Sequence, residues 1–284
     1  MTSPRPTITV HLDSSHRKIM RCEDGVMRSI EDEVAVEAPL EIRLIHWVES
    51  GEVETPISVT MRTPGHDGEL ATGFLLTEGI IGSPEQIERI RMCGGGNVVN
   101  VHLSPTVVVD TDKLLRNFYT SSSCGVCGKS AIAAVNVHIP GELEPEVPSV
   151  KNAVICSLPE VLRSSQNAFD RTGGLHASGL FDIDGNLIRL HEDVGRHNAL
   201  DKLIGAQWYD DESVLAESIV LVSGRVSFEL VQKALVAGIA ILVAVGAPSS
   251  LAVDLASHHN MTLIGFNRGR RFNLYSGFQR IELD

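Results

Sequence analysis

The stretch "SIVLVSGRVSFELVQKALVAGIAILVAVGAPSSLAVDLASHHNMTLIGFNRGRR" (residues 218–271) decides the fold. It holds units of one kind: an unbroken apolar run, then a loop of small or basic residues. The first two loops lead into "SFELVQKALVAG" and "LAVDLASHH", whose apolar residues recur at helical spacing. Strands covered on both faces read as continuous apolar runs, and parallel neighbours need a crossover helix, so the pattern predicts βαβ units and a parallel sheet. The carboxyl ends of such strands share one edge, where helix N-termini present unpaired N–H groups. That edge receives Ser223, Gly224 and Arg225, then residues 246–250 including Ser249, then Asn267, Arg268, Arg270 and Arg271. Arginines beside hydroxyls suit a phosphate or pyrophosphate. The competing reading is surface ion pairs, and spacing alone favours neither.

Upstream, "HASGLFDIDGNLIRLHEDV" predicts a hairpin around Asp184-Gly185, followed by a helix over "RHNALDKLIGAQW". Residues 33–62 alternate with period two in "VAVEAPLEIRL" and "TPISVTMRT", which predicts a first small sheet. Residues 66–80 carry apolar positions at helical spacing and end near a glycine, so a helix packs on that sheet. "CGGGNVVNVHL" reads as a turn entering a strand, and residues 106–110 are short and β-branched. Residues 1–15 read as a disordered extension.

The chain has 284 residues and is 43% hydrophobic, ample for a packed core. A formal net charge of −12 argues against general affinity for nucleic acid or anionic membrane, so an anion needs a local site. "MTSPRPTITV" lacks an apolar core of signal-peptide length, and the apolar run 234–247 is too short to span a bilayer. The expected compartment is the cytoplasm. Five cysteines, scattered and odd in number, point to free thiols.

Cys124 and Cys127 stand out in "YTSSSCGVCGKSAIAA" (residues 119–134). Structural zinc needs four ligands, yet no second CxxC or HxxxH accompanies them, and Cys22, Cys93 and Cys156 stand alone. "SCGVCGKS" misses the P-loop pattern because Ser123 occupies the first glycine position. A thioredoxin-like site wants the pair between a strand and a long helix, which this context fits poorly. The fourth reading is a mobile nucleophilic loop, in which Lys129 and a helix N-terminus near Gly128 favour the thiolate, while Gly125 and Gly128 give reach. Two inert thiols in a flexible loop are the bland alternative. His176, His191 and His197, with Glu192 and Asp193, form a group suited to metal binding, proton transfer or plain structural hydrogen bonds. The zinc deaminase signature is absent: Ser178 replaces its glutamate, and the CxxC precedes the histidine.

Read in order, "ATGFLLTEGII", "CGVCGK", "TGGLHASGLFD", "EDVGRHNALDKLIG", "SGRVSFELVQKA", "APSSLAVDLA" and "GFNRGRRFNLYSG" resemble the FdhD/NarQ family of formate dehydrogenase accessory sulfurtransferases, from about residue 34 to the C-terminus. The resemblance implies an α/β protein: a small N-terminal α+β domain (residues 16–118), then a cytidine-deaminase-like three-layer α/β domain (residues 119–284). It implies a sulfurtransferase that takes persulfide sulfur from a cysteine desulfurase and passes it to the molybdenum bis-molybdopterin guanine dinucleotide cofactor, bound as cargo, for the formate dehydrogenase catalytic subunit. Cys124 would carry the persulfide, and Cys127 would assist transfer or receive sulfur in turn. The family's F-x-R-x-x-R stretch falls on residues 266–271, so Phe266, Asn267, Arg268, Gly269, Arg270 and Arg271 would join Ser223, Gly224, Arg225 and Ser249 in binding the cofactor. No resident metal and a homodimer are implied. The alternatives are a cofactor-binding chaperone without sulfur transfer and, more weakly, a zinc-dependent nucleotide enzyme.

Overall fold

The structure, a computed structural model, describes residues 12–107, 109, 139, 141–210 and 213–283. It is mixed α/β. Strands β1 (Ser14–Glu23) and β2 (Val26–Ala35) form an antiparallel ribbon in continuous register, closed at Asp24-Gly25. Both turn residues have positive φ, 52° and 79°, the geometry that lets a two-residue turn follow strand twist. The ribbon starts two residues inside the expected extension, and sequence periodicity did not announce it. Its residues are mostly exposed on both faces, so no core imposes an apolar alternation.

The next sheet contains β3 (Ala38–Val48), β4 (Gly51–Arg62), β5 (Ile87–Cys93) and β6 (Val98–Leu103), in the order β4-β3-β6-β5. Between β4 and β5 lies helix α1 (Asp67–Thr77), as its spacing predicts. Pro105 and Thr106 form a turn rather than the start of a strand. The expected domain boundary at 118/119 and the loop holding Cys124 and Cys127 lie outside the described residues.

The chain resumes with β7 (Val150–Lys151), α2 (Asn152–Ser165) and α3 (Asn167–Thr172), which sequence reading had not assigned. The predicted hairpin follows as β8 (His176–Phe181) and β9 (Leu187–Asp193), then α4 (Arg196–Asp210) and the short α5 (Ser213–Ala216). The deciding stretch becomes β10 (Ile219–Val222), α6 (Phe228–Val236), β11 (Ile241–Ala244), α7 (Ser250–His258) and β12 (Thr262–Arg268). β13 (Arg271–Ser276) turns back along β12, and β14 (Ile281–Glu282) pairs with β7. The six-stranded order is β13-β12-β11-β10-β8-β9. β10, β11 and β12 are parallel, as the crossovers require, while the flanking strands are antiparallel.

Alternate residues of this sheet enter two cores. Val220, Val222, Leu242, Ala244 and Leu263 pack with α4, α6 and α7, in a core that continues through α1 to Leu40, Ile42 and Val101 of the first sheet. Ile219, Leu221, Ile241, Val243 and Ile264 pack with Ile155, Leu158 and Leu162 of α2. Helices α1 and α4 meet at backbone distance through Gly73 and Gly205. A Cβ built on Gly73 would lie 1.9 Å from the Asp201 carbonyl oxygen, and one on Gly205 2.0 Å from that of Glu69. The family-like segments "ATGFLLTEGII" and "DKLIG" therefore meet as a helix crossing that ties the two sheets together.

A cleft at the strand ends and the candidate functional site

A cleft of about 760 Å³ opens at the carboxyl edge of the parallel strands. One side is made of Ser223, Val245, Asn267, Arg268 and Gly269, from the loops after β10 and β11 and the end of β12. The other comes from α2 and α3 and the segment after them: Pro159, Glu160, Arg163, Gln166, Phe169, Gly173, Gly174 and His176. Ser223, Asn267, Arg268 and Gly269 of the expected cofactor residues are thus brought together. Sequence reading missed the α2–α3 wall, because an amphipathic helix carries no local sign of which loop it faces.

The loops are held by one another. Ser223 N donates to Ala177 O at 2.9 Å, and Ala177 N returns a bond to Ser223 Oγ at 2.9 Å. Gly246 N donates to Gly224 O, Val226 N to Ala247 O, and Ser249 N to Val226 O. Ser249 caps α7, its Oγ accepting from Ala252 N at 3.3 Å. These bonds use the amides of Ser223, Gly246 and Ser249, whereas those of Gly224 and Arg225 have no partner among the described residues.

The residues around Arg268 divide into scaffold and rim. Asn267 is fully buried, and its Nδ2 donates to Ile155 O at 2.6 Å. That carbonyl would ordinarily accept from the residue four positions on, but the residue there is Pro159, which has no N–H. Asn267 therefore repairs the α2 ladder and fastens β12 to the cleft's far wall. Phe266 is the opposite case: its φ of 53° lies in the left-handed region, and the residue is 41% exposed rather than in the core. The bulge between Gly265 and Arg268 accounts for this turn outward. Arg225, Arg268, Arg270 and Arg271 are exposed, and none forms an ion pair among the described residues. Arg268 Nε makes one long bond to Val245 O, 3.3 Å. The ion-pair reading of these arginines therefore fails, and their charge is available to an anion.

The histidines do not gather around a metal: no cluster of ligating side chains occurs among the described residues. His176 lines the cleft, and burial, then Arg196, lowers its pKa. His191 packs edge-on against His66, ring centroids 4.6 Å apart, and burial pushes its pKa down to about 3, assisted by His66 and Lys202. His197 Nε2 lies 3.3 Å from Ser227 Oγ and 3.2 Å from Glu229 Oε2 beneath the start of α6. Burial, then Arg196 and Lys233, takes its pKa to about 3. All three rings are neutral at pH 7.

The remaining charges of these segments are structural. Asp193, fully buried, accepts from Thr63 N, Gly195 N and Asn198 Nδ2, and lies 2.7 Å from Lys202 Nζ. Lys233 donates to Asp201 at 2.9 Å, to Thr77 Oγ1 at 2.8 Å and to Glu78 at 3.3 Å. Burial opposes its charge, yet Asp201 and Glu78 hold its pKa above the ordinary lysine value. Glu192 accepts from Ala168 N and Phe169 N, which anchors the start of α3 and so the cleft wall. Cys22, Cys93 and Cys156 are free thiols, and none lines the cleft.

Residues 35–282 match the model of the FdhD/NarQ family. The chain belongs to that family. Relatives within it include proteins named sulfur carrier protein FdhD from Streptomyces avermitilis, 46% identical with 95% of this chain and 96% of the relative covered, and from Sulfolobus acidocaldarius, 43% identical with 94% and 98% covered. A crystal structure of a candidate formate dehydrogenase accessory protein from Desulfotalea psychrophila superposes with a TM-score of 0.71 at 27% identity, covering 95% of this chain and 99% of that one. This FdhD/NarQ member thus shares its fold with a relative across nearly the whole chain. Among its described residues no helix is long and apolar enough to cross a membrane.

Proposed function

We propose that this protein is a sulfur carrier in the maturation of formate dehydrogenase, taking sulfane sulfur from a cysteine desulfurase and delivering it to molybdenum bis-molybdopterin guanine dinucleotide, its substrate. The observation that carries this reading is the family match over residues 35–282, with relatives named sulfur carriers, in a chain that holds the pair Cys124 and Cys127.

The Cys124 thiolate attacks the outer sulfur of the desulfurase persulfide. A new S–S bond forms on Cys124, the donor's S–S bond breaks, and the donor cysteine leaves as a thiolate with the electron pair, so no net oxidation occurs. Cys127 assists the onward transfer. Arg268 in the cleft meets the substrate's phosphates. Arg271, the free amides of Gly224 and Arg225, and the exposed Phe266 lie outside the cleft's lining and serve as further contacts at the same strand-end edge. The partners are the desulfurase and the formate dehydrogenase catalytic subunit. The protein works as a homodimer in the cytoplasm.

The described residues that line the cleft include no cysteine, which favours a second reading as a cofactor-holding chaperone without sulfur transfer. Mass spectrometry after incubation with a desulfurase and cysteine separates the two. The carrier reading expects a 32 Da adduct, one sulfur atom, on the peptide containing Cys124, lost in Cys124→Ala, which still binds the cofactor. A wild-type protein that stays unmodified while the desulfurase turns over, yet binds the cofactor, establishes the chaperone instead.

A further inference from the structure

The cleft holds a histidine whose ring the fold does not use. His176 opens β8 and lines the cleft, yet its ring has no hydrogen-bond or ion-pair partner among the described residues, and neither ring nitrogen is sealed from solvent. The ring stands against Gly224: a Cβ built there would come 3.3 Å from His176 Nδ1 and 3.9 Å from Arg196 Cδ, so any side chain at 224 would press on it. Arg196, at the start of α4, likewise has no hydrogen bond or ion pair among the described residues. Beside both stand the free amides of Gly224 and Arg225.

Charges face this ring from the elements around it. Arg196 of α4 and Asp193 of β9 act on it in opposite senses; burial and Arg196 prevail, so its pKa lies below the ordinary 6.5. His197, next in α4, is held neutral by burial as well. Glu160, Arg163 and Arg268 stand on the walls of the same cleft. The two arginines exchange no proton near neutrality, whereas a neutral imidazole accepts at one nitrogen and donates from the other. His176 is thus the cleft residue suited to take a proton on one side and return one on the other.

Resting on the sulfur-carrier reading above, we propose that His176 is the acid–base catalyst of sulfur delivery and that Arg196 is its charge partner across Gly224. Delivery to a reduced metal in the substrate balances without a further reagent. The outer sulfur of the carrier's persulfide joins the metal, the S–S bond breaks, the metal gives up two electrons, and the carrier cysteine regains its thiol. The proton on the outer sulfur must move to the inner one in the same event. His176 takes it at one ring nitrogen and returns one from the other, while Arg196 and the amides of Gly224 and Arg225 stabilise the sulfur anion in between.

A single-turnover experiment tests this. Full-length protein is loaded with sulfur by a desulfurase and cysteine, freed of both, and mixed with reduced molybdenum bis-molybdopterin guanine dinucleotide, and loss of the sulfur adduct is followed by mass spectrometry from pH 5 to 8. The wild-type rate should be level at and above neutrality and fall in acid, below pH 6.5, as the ring is protonated. His176→Asn should load sulfur at the wild-type rate but deliver it about 10²–10⁴-fold more slowly, without the acid limb. In His176→Ala, added imidazole should restore part of the rate, which a purely structural role would not allow. Arg196→Gln, by removing a cation beside the ring, should raise the pKa and move the acid limb to higher pH. A folded His176→Asn protein, checked by its melting curve, that delivers within threefold of the wild type overturns the proposal. So does a slow variant that keeps the wild-type acid limb and whose alanine counterpart imidazole does not rescue. A wild type that takes up no sulfur, or takes it up and never delivers it, defeats the carrier reading itself, and this inference falls with it.

Discussion

The side-chain amide of Asn267 occupies the hydrogen-bonding place that Pro159 vacates, donating to Ile155 O at 2.6 Å. A proline inside a helix frees the carbonyl four residues back, and a buried free carbonyl is costly. Here a residue of a distant motif meets that need, so α2 and the end of β12, the two walls of the cleft, are joined at the point where ligand would sit. Asn267→Leu should therefore cost about 1–3 kcal/mol, and much less in a Pro159→Ala background, where the helix supplies its own N–H. Urea denaturation of the four proteins measures the coupling, and strictly additive changes would refute it.

The α1–α4 crossing should tolerate no side chain. Gly73→Ala or Gly205→Ala drives a methyl group into backbone at 1.9–2.0 Å, so the helices must separate and open the core shared by both sheets. We expect losses of at least about 3 kcal/mol, read as a collapse of soluble yield or of the melting temperature. Near-wild-type melting of either variant would show that the crossing is not this tight.

Phe266 should trade stability for binding. At φ 53° a side chain is strained, and the residue is 41% exposed. Phe266→Gly should leave stability unchanged or raise it by about 1 kcal/mol, while weakening nucleotide binding by about 1–3 kcal/mol through the lost stacking surface. A destabilised variant with undiminished binding would place the ring's role in the fold instead.

Lys233 neutralises buried carboxylates and donates to Asp201, Thr77 and Glu78. Lys233→Met should cost about 3–5 kcal/mol, since it strands the Asp201 charge between α1, α4 and α6. Guanidinium unfolding measures this, and a loss under 1 kcal/mol would count against an ionised Asp201.

Acid should destabilise the protein before its carboxylates titrate. His191 and His197 have pKa values of about 3 in the fold, against an ordinary value of 6.5, so the unfolded chain binds more protons between those limits. Their neutral burial contributes stability that is complete above pH 6.5 and declines as pH falls through that window. Each histidine adds up to about 1.4 kcal/mol per pH unit there. Denaturant titrations between pH 7 and 5, above the usual carboxylate range, should show this slope, and His197→Asn should reduce it. A flat profile would mean that both rings accept a proton in the folded state.

The sequence by itself determined the hydrophobic layering and the place of the strand-end loops. Unbroken runs such as "IVLV" and "ILVA" are possible only for strands covered on both faces, and their following loops must then share one edge. It also determined the β8–β9 hairpin and the helices α1 and α4, because turn chemistry and helical spacing are local. The ribbon of β1 and β2 was not legible, since exposed strands have no periodic demand for apolar residues. The division of labour among the site residues was not legible either. Asn267 and Arg268 are neighbours in one motif, yet one repairs a helix while the other faces the cleft, and only the packing of β12 against α2 separates them. Gln166 and Phe169 carry no motif at all. They face the cleft because the α2–α3 corner brings them there, a consequence of long-range packing, and tertiary structure alone decided it.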